Sequence, residues 1–199
     1  VVGGGSGHEP AFLGYVGRGL AAAAVIGDVF TSPTPEPILT AAKAAAGPDG
    51  VLFLYGNYAG DVMNFDMAAE LAAADGIRVE TVLGADDVAA APPGRAADRR
   101  GIAGGVFLFK VCGAAAARGW PLAEVARVGR KALAAMRSMG VALEPCSLPA
   151  NLMHNFQIPR GAMEIGLGIH GEKGAMAGPL EPANQVTDRL FDAIQAELA

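Results

Sequence analysis

Val51-Leu52-Phe53-Leu54-Tyr55-Gly56-Asn57-Tyr58-Ala59-Gly60-Asp61 joins an unbroken apolar run to a polar turn punctuated by glycines. Five consecutive apolar residues match a strand covered on both faces; a strand with one wet face would alternate. Residues 62–74 then read as a helix, and 77–83 as a second strand. Strand, helix, strand in that order is the unit that builds a parallel sheet. The expectation is an α/β fold with a mainly parallel central sheet flanked by helices. Ligands of such sheets bind at the loops beyond the carboxyl ends of the strands, and the 56–61 loop lies there.

Working outward toward the amino end, Val1-Val2 reads as the close of a strand. It leads into the turn Gly3-Gly4-Gly5-Ser6-Gly7-His8-Glu9-Pro10, and residues 11–26 are expected to be helical. Alternate prolines in Thr31-Ser32-Pro33-Thr34-Pro35-Glu36-Pro37 forbid a helix until Pro37, which can open one running to about 46. Toward the carboxyl end, a polar loop over 86–100 precedes two expected helices, 102–117 and 122–139. Residues 141–148 and 162–169 look extended. The last segment, 182–198, is amphipathic, with Val186, Leu190 and Ile194 on one face.

The chain has 199 residues, enough for one α/β domain, and a single domain over 1–199 is expected. Fifteen basic against twenty acidic residues give a net charge of −5, with no dense basic run, which argues against a nucleic-acid binder. No apolar run approaches the roughly 18 residues of a membrane span. Cys112 and Cys146 both sit in apolar sequence, so two buried thiols and a cytoplasmic setting are expected. The start at Val1, without an initiator Met, suggests a piece of a longer protein.

Met163-Glu164-Ile165-Gly166-Leu167-Gly168-Ile169-His170-Gly171-Glu172-Lys173-Gly174 places an imidazole at the end of an apolar, strand-like run among glycines. Glycines supply no side chain to fill a core, so a small molecule can approach the ring. His8 sits in an equally glycine-rich turn. That turn fails the dinucleotide fingerprint and the nucleophile elbow, since both need a glycine where His8 stands, and no phosphate loop occurs. Asp61 opens a helix, where a carboxylate serves as a cap or as a general base. His154, in Asn151-Leu152-Met153-His154-Asn155-Phe156, reads as a surface or packing residue. The three histidines lack metal-ligand spacing, so no metal site is expected.

Together, Gly3-Gly4-Gly5-Ser6-Gly7-His8-Glu9-Pro10, Phe30-Thr31-Ser32-Pro33-Thr34-Pro35, Asn57-Tyr58-Ala59-Gly60-Asp61-Val62-Met63-Asn64-Phe65 and Glu164-Ile165-Gly166-Leu167-Gly168-Ile169-His170-Gly171-Glu172 resemble the dihydroxyacetone kinase family, specifically its substrate-binding subunit. Arg99-Arg100-Gly101 adds a fifth block, and the resemblance spans nearly the whole chain. It implies that His170 holds a ketose covalently as a hemiaminal, that His8 hydrogen-bonds it, and that Asp61 acts on the hydroxyl to be phosphorylated. Gly5, Ser6, Gly7, Thr31 and Gly56 would line the substrate. The resemblance further implies that this chain binds no cofactor, and that ATP or ADP with Mg2+ sits on a helical partner subunit or domain. In some members a phosphotransferase-system protein recharges that nucleotide. A homodimer is implied too, as are a preceding arm and a second α/β region beyond this stretch.

The family commonly has lysine where Gly56 stands and Gly-Lys-Pro near 152–155. Both departures suit a longer ketose such as erythrulose. A ketose-sensing paralogue that binds a regulator is the competing reading.

Overall fold

The computed structural model describes residues 1–149 and 152–198. It contains two compact units, one made of Val1–Gly84 and Gly104–Ala135, the other of Ala85–Ala103 and Met136–Ala199.

The first unit is built on four strands, β1 (Val2–Ser6), β2 (Ala24–Val29), β3 (Val51–Gly56) and β4 (Val79–Gly84). They lie in the order β2-β1-β3-β4, and every pairing is parallel. Helices α1 (Pro35–Ala45), α2 (Ala59–Ala74), α3 (Gly105–Ala117) and α4 (Leu122–Ala134) complete it. The parallel sheet with flanking helices is as expected from the 51–61 stretch. Alternate residues of β3 divide between its faces. Val51, Phe53 and Tyr55 pack with Ile38 and Ala42 of α1 and Phe65 and Ala68 of α2. Leu52 and Leu54 instead line a cavity with Cys112, Leu122 and Val125 of α3 and α4. Two-sided burial is why β3 carries no polar alternation.

Residues 11–26 depart from the expected helix. They form a short 3-10 turn at Leu13–Tyr15 and then enter β2. Gly14, Gly17 and Gly19 each cost a helix about 1 kcal/mol relative to alanine, while the β-branched Val25 and Ile26 suit a strand. The glycine run is likewise strand for most of its length, since β1 reaches Ser6. Helix α1 starts two residues before the expected Pro37, with Pro35 inside its first turn, where no N–H is required.

The second unit holds an antiparallel sheet of β5 (Val141–Ala142), β6 (Ala162–Ile165) and β7 (Met176–Pro179), in that order, and helix α5 (Ala183–Ala196). Met163, Ile165 and Val186 form its core, joined by Met139, Val141 and Leu190. The run expected to be extended over 162–169 ends at Ile165, because Gly166 turns the chain with φ 78. His170 therefore lies in a turn beyond the strand. Only two residues of 141–148 are strand, and β7 had no expectation.

Arg99, 1% exposed, donates to the Ala91 carbonyl at 2.8 Å and to Glu197 at 2.7 Å, so the buried charge is paired. Cys112 is buried as expected, but Cys146 is exposed, in irregular chain after β5. Asn151, first residue of the stretch around His154, lies outside the described residues.

Candidate functional site

In the first unit the sheet order changes direction between β1 and β3. This is the point where flanking crossovers diverge and leave a crevice beyond the strand ends. Ser6-Gly7-His8 leaves β1 at this edge, and Gly56 ends β3 beside it. The 30–32 segment, arriving from β2, fits against the glycines. A side chain on Gly5 would meet the Thr31 amide at 2.6 Å, and one on Gly7, whose φ is 96, would strike the Phe30 ring. The Phe30 amide is bonded to the Ser6 carbonyl at 2.9 Å, and Phe30 itself takes the left-handed φ of 53. That strained backbone lays its ring on His8, centroids 4.9 Å apart.

Asp61 is the third residue of α2, 8% exposed, at the positive end of the helix dipole, where a carboxylate is stabilised. The capping position is Tyr58, so Asp61 is not the cap. Ser32 meets this turn. It accepts from the Asn64 amide at 3.2 Å, and a side chain on Gly60 would contact its Cβ at 3.4 Å. Ser32 was quoted in the sequence only as part of a block. Burial, with the nearby Asp66 and Asp61 charges, pushes the Tyr55 hydroxyl far up, so it stays protonated. The first unit thus gathers Gly5, Ser6, Gly7, His8, Thr31, Gly56 and Asp61 on one sheet edge.

In the second unit His170 is half-buried, and its Nδ1 lies 3.0 Å from Glu172 Oε1. The His170 backbone N–H donates to the other carboxylate oxygen, also at 3.0 Å. Burial alone would raise the Glu172 pKa. The hydrogen bonds from the His170 ring and from the 170 and 172 amides outweigh it and hold the carboxyl at about 2. A carboxylate ionised throughout neutral pH can only accept. Nδ1 therefore carries the proton, and neutral imidazole keeps a lone pair on Nε2. Glu172 received no role from the sequence, although its place two residues after the histidine was visible. His154 lies elsewhere in this unit's irregular chain, its Nδ1 3.1 Å from the Ser147 hydroxyl.

Residues 1–199 match, end to end, the family model described as the Dak1 domain. The chain belongs to the Dak1 family. One relative, the dihydroxyacetone-binding subunit DhaK of a PTS-dependent dihydroxyacetone kinase 2 from Listeria innocua, is 52% identical over all of this Dak1 chain and 59% of its own length. A D-erythrulose kinase from Mycolicibacterium smegmatis is 47% identical over 98% of the chain and 33% of its own length. Among solved structures, the dihydroxyacetone kinase of C. freundii in complex with AMP-PNP and Mg2+ superposes with a TM-score of 0.90 at 41% identity, over the whole chain and 36% of that one. The dihydroxyacetone kinase operon co-activator Dha-DhaQ gives 0.90 at 32% identity, over 99% of this chain and 60% of its own. The Dak1 chain thus spans about three fifths or less of these relatives.

Among the described residues, no group of three or more His, Cys, Asp or Glu side chains is placed to hold a metal ion. No helix there is long and apolar enough to cross a membrane.

Proposed function

We propose that this chain is the ketose-binding component of a cytoplasmic dihydroxyacetone-type kinase, with His170 as the covalent anchor of the substrate. The tether between His170 and Glu172 carries the reading, since a proton held on Nδ1 makes Nε2 the nucleophilic nitrogen of the ring. In the proposed step the Nε2 lone pair bonds to the ketone carbon, the carbonyl π pair moves to oxygen, and that oxygen takes up a proton from water, to which the Nδ1 proton is afterwards returned. The ring becomes cationic as the bond forms, and the Glu172 carboxylate opposite Nδ1 stabilises it before the Nδ1 proton leaves. The product is a neutral hemiaminal. Glycerol, without a carbonyl, cannot form it.

His8 would hydrogen-bond the bound ketose, with Gly5, Ser6, Gly7, Thr31 and Gly56 as its lining. Asp61 would accept the proton of the terminal hydroxyl as that oxygen attacks phosphorus. A nucleotide-bearing helical partner would supply the phosphoryl group, with ATP or a phosphoprotein as ultimate donor. The likeness to a DhaK subunit of a PTS-dependent enzyme supports the second source. Glycine at position 56 and the similarity to a D-erythrulose kinase support erythrulose as an alternative substrate. The chain would act as a homodimer.

Intact-mass spectrometry under native conditions, with dihydroxyacetone, erythrulose and glycerol in turn, tests the anchor. A ketose adduct absent from His170→Ala and absent with glycerol is expected. Wild-type protein that forms no adduct with either ketose refutes the proposal.

A regulatory reading is favoured by the likeness to the co-activator Dha-DhaQ. Under it the chain would bind ketose yet support no turnover with any helical partner.

A further inference from the structure

Arg100 lies 72 residues before Glu172, yet its guanidinium reaches both ends of the turn that bears His170. Nη2 donates to the Gly166 carbonyl at 2.9 Å, where the chain leaves β6, and Nη1 to the Glu172 carbonyl at 3.4 Å. The same guanidinium holds Asp87 Oδ2 through Nε at 2.9 Å and Nη2 at 2.8 Å, with the Arg100 side chain 12% and Asp87 1% exposed. Asp87 is fixed in turn. Its Oδ1 accepts the Ala89 amide at 3.0 Å, and its own amide donates to the Arg100 carbonyl at 3.0 Å. Burial pushes the Asp87 carboxyl above its ordinary value, and Arg100 beside it offsets part of that rise. Between the two pinned carbonyls, the Gly168 amide donates to Glu172 at 2.8 Å. A side chain at 168 would run into Glu172 Oε2 and Arg100 Nη1.

We propose that Arg100, held by Asp87, is the positioning residue for His170: it fixes the 166–172 turn so that Glu172 takes the Nδ1 proton bond and Nε2 stays unprotonated. The role in ketose capture rests on the reading of His170 given above, whereas the control of the tautomer does not. Lysine cannot replace arginine here, because a single ammonium cannot hold a carboxylate and two separated carbonyls in one plane.

The test uses 15N-histidine NMR of the full chain at neutral pH, with His170 assigned by comparison with His170→Asn. Wild type, Arg100→Lys and Asp87→Asn are each also titrated with dihydroxyacetone. Wild type is expected to show protonated Nδ1 and unprotonated Nε2. Both variants are expected to shift to mixed tautomers and to lose at least tenfold in ketose affinity. Should Arg100→Lys fail to fold, Asp87→Asn, nearly unchanged in shape, gives the result. Folded variants with the wild-type nitrogen pattern overturn the proposal even where their melting temperature falls, since a purely structural ion pair would do only that. So does a wild type that lacks the Nδ1–H form. A wild type with that form but no ketose adduct, beside variants that lose it, refutes the ketose reading and sustains the positioning role.

Discussion

Glu172 touches His170 twice, through the ring and through the backbone, so removing its charge acts on the reactive ring directly. Glu172→Gln keeps the volume but can present its NH2 to Nδ1, which favours the tautomer with Nε2 protonated. Ketose affinity should fall at least about tenfold, or about 1.4 kcal/mol, in calorimetric titration. The same group predicts an acid dependence. Its pKa is about 2 in the folded chain against the ordinary 4.5, so its stabilising contribution is complete above about pH 4.5. The contribution is lost as pH falls from there toward 2. Denaturant midpoints of wild type and Glu172→Gln should converge across that window, with the wild type losing more. His170 was conspicuous in the sequence as a candidate because an imidazole among glycines is an unusual arrangement. Its clamp was not, since Arg100 approaches from 72 residues away and nothing local announces the pairing.

The β3–α2–β4 segment shows which elements could be read in advance. Its strands are continuous apolar runs, and the expected boundaries differ from the observed ones by at most three residues. Phe65 is fully buried, edge-on to Phe53 at 5.3 Å and stacked on Tyr55 at 4.1 Å. Phe65→Ala should cost about 3–5 kcal/mol in denaturant unfolding. It would loosen α2, and with it the turn that carries Asp61. Where sequence reading failed, tertiary contact decided. Glycines usually argue for a turn, yet in β1 they permit a close approach of neighbouring chain. Gly5→Ala would put a methyl onto the Thr31 amide and Phe30 backbone, neither of which can swing aside. A loss of about 1–3 kcal/mol from overpacking is expected, with weaker ketose binding measured on the folded fraction. β7 escaped notice because Met176-Ala177-Gly178-Pro179 has neither strand propensity nor alternation, and its pairing with β6 alone makes it a strand.

At the scale of the whole chain, family membership rests on a match over all 199 residues, a stretch that spans 59% of the length of the DhaK relative. Asp61→Asn separates the two readings of the chain. In a catalytic component it should lower phosphorylation by the partner at least about a hundredfold, as general-base catalysis contributes, and leave ketose binding nearly unchanged. Coupled turnover assays beside calorimetric titration would check this; in a sensor, neither protein turns over. The central claim is a covalent bond between one ring nitrogen and a ketone carbon, and 13C NMR of the protein with [2-13C]dihydroxyacetone observes that carbon directly. A protein-bound resonance of a tetrahedral carbon, split by coupling to 15N-labelled histidine and lost in His170→Ala, is the predicted result. Free ketone and its hydrate alone, at protein concentrations that saturate the binding seen by calorimetry, would contradict it.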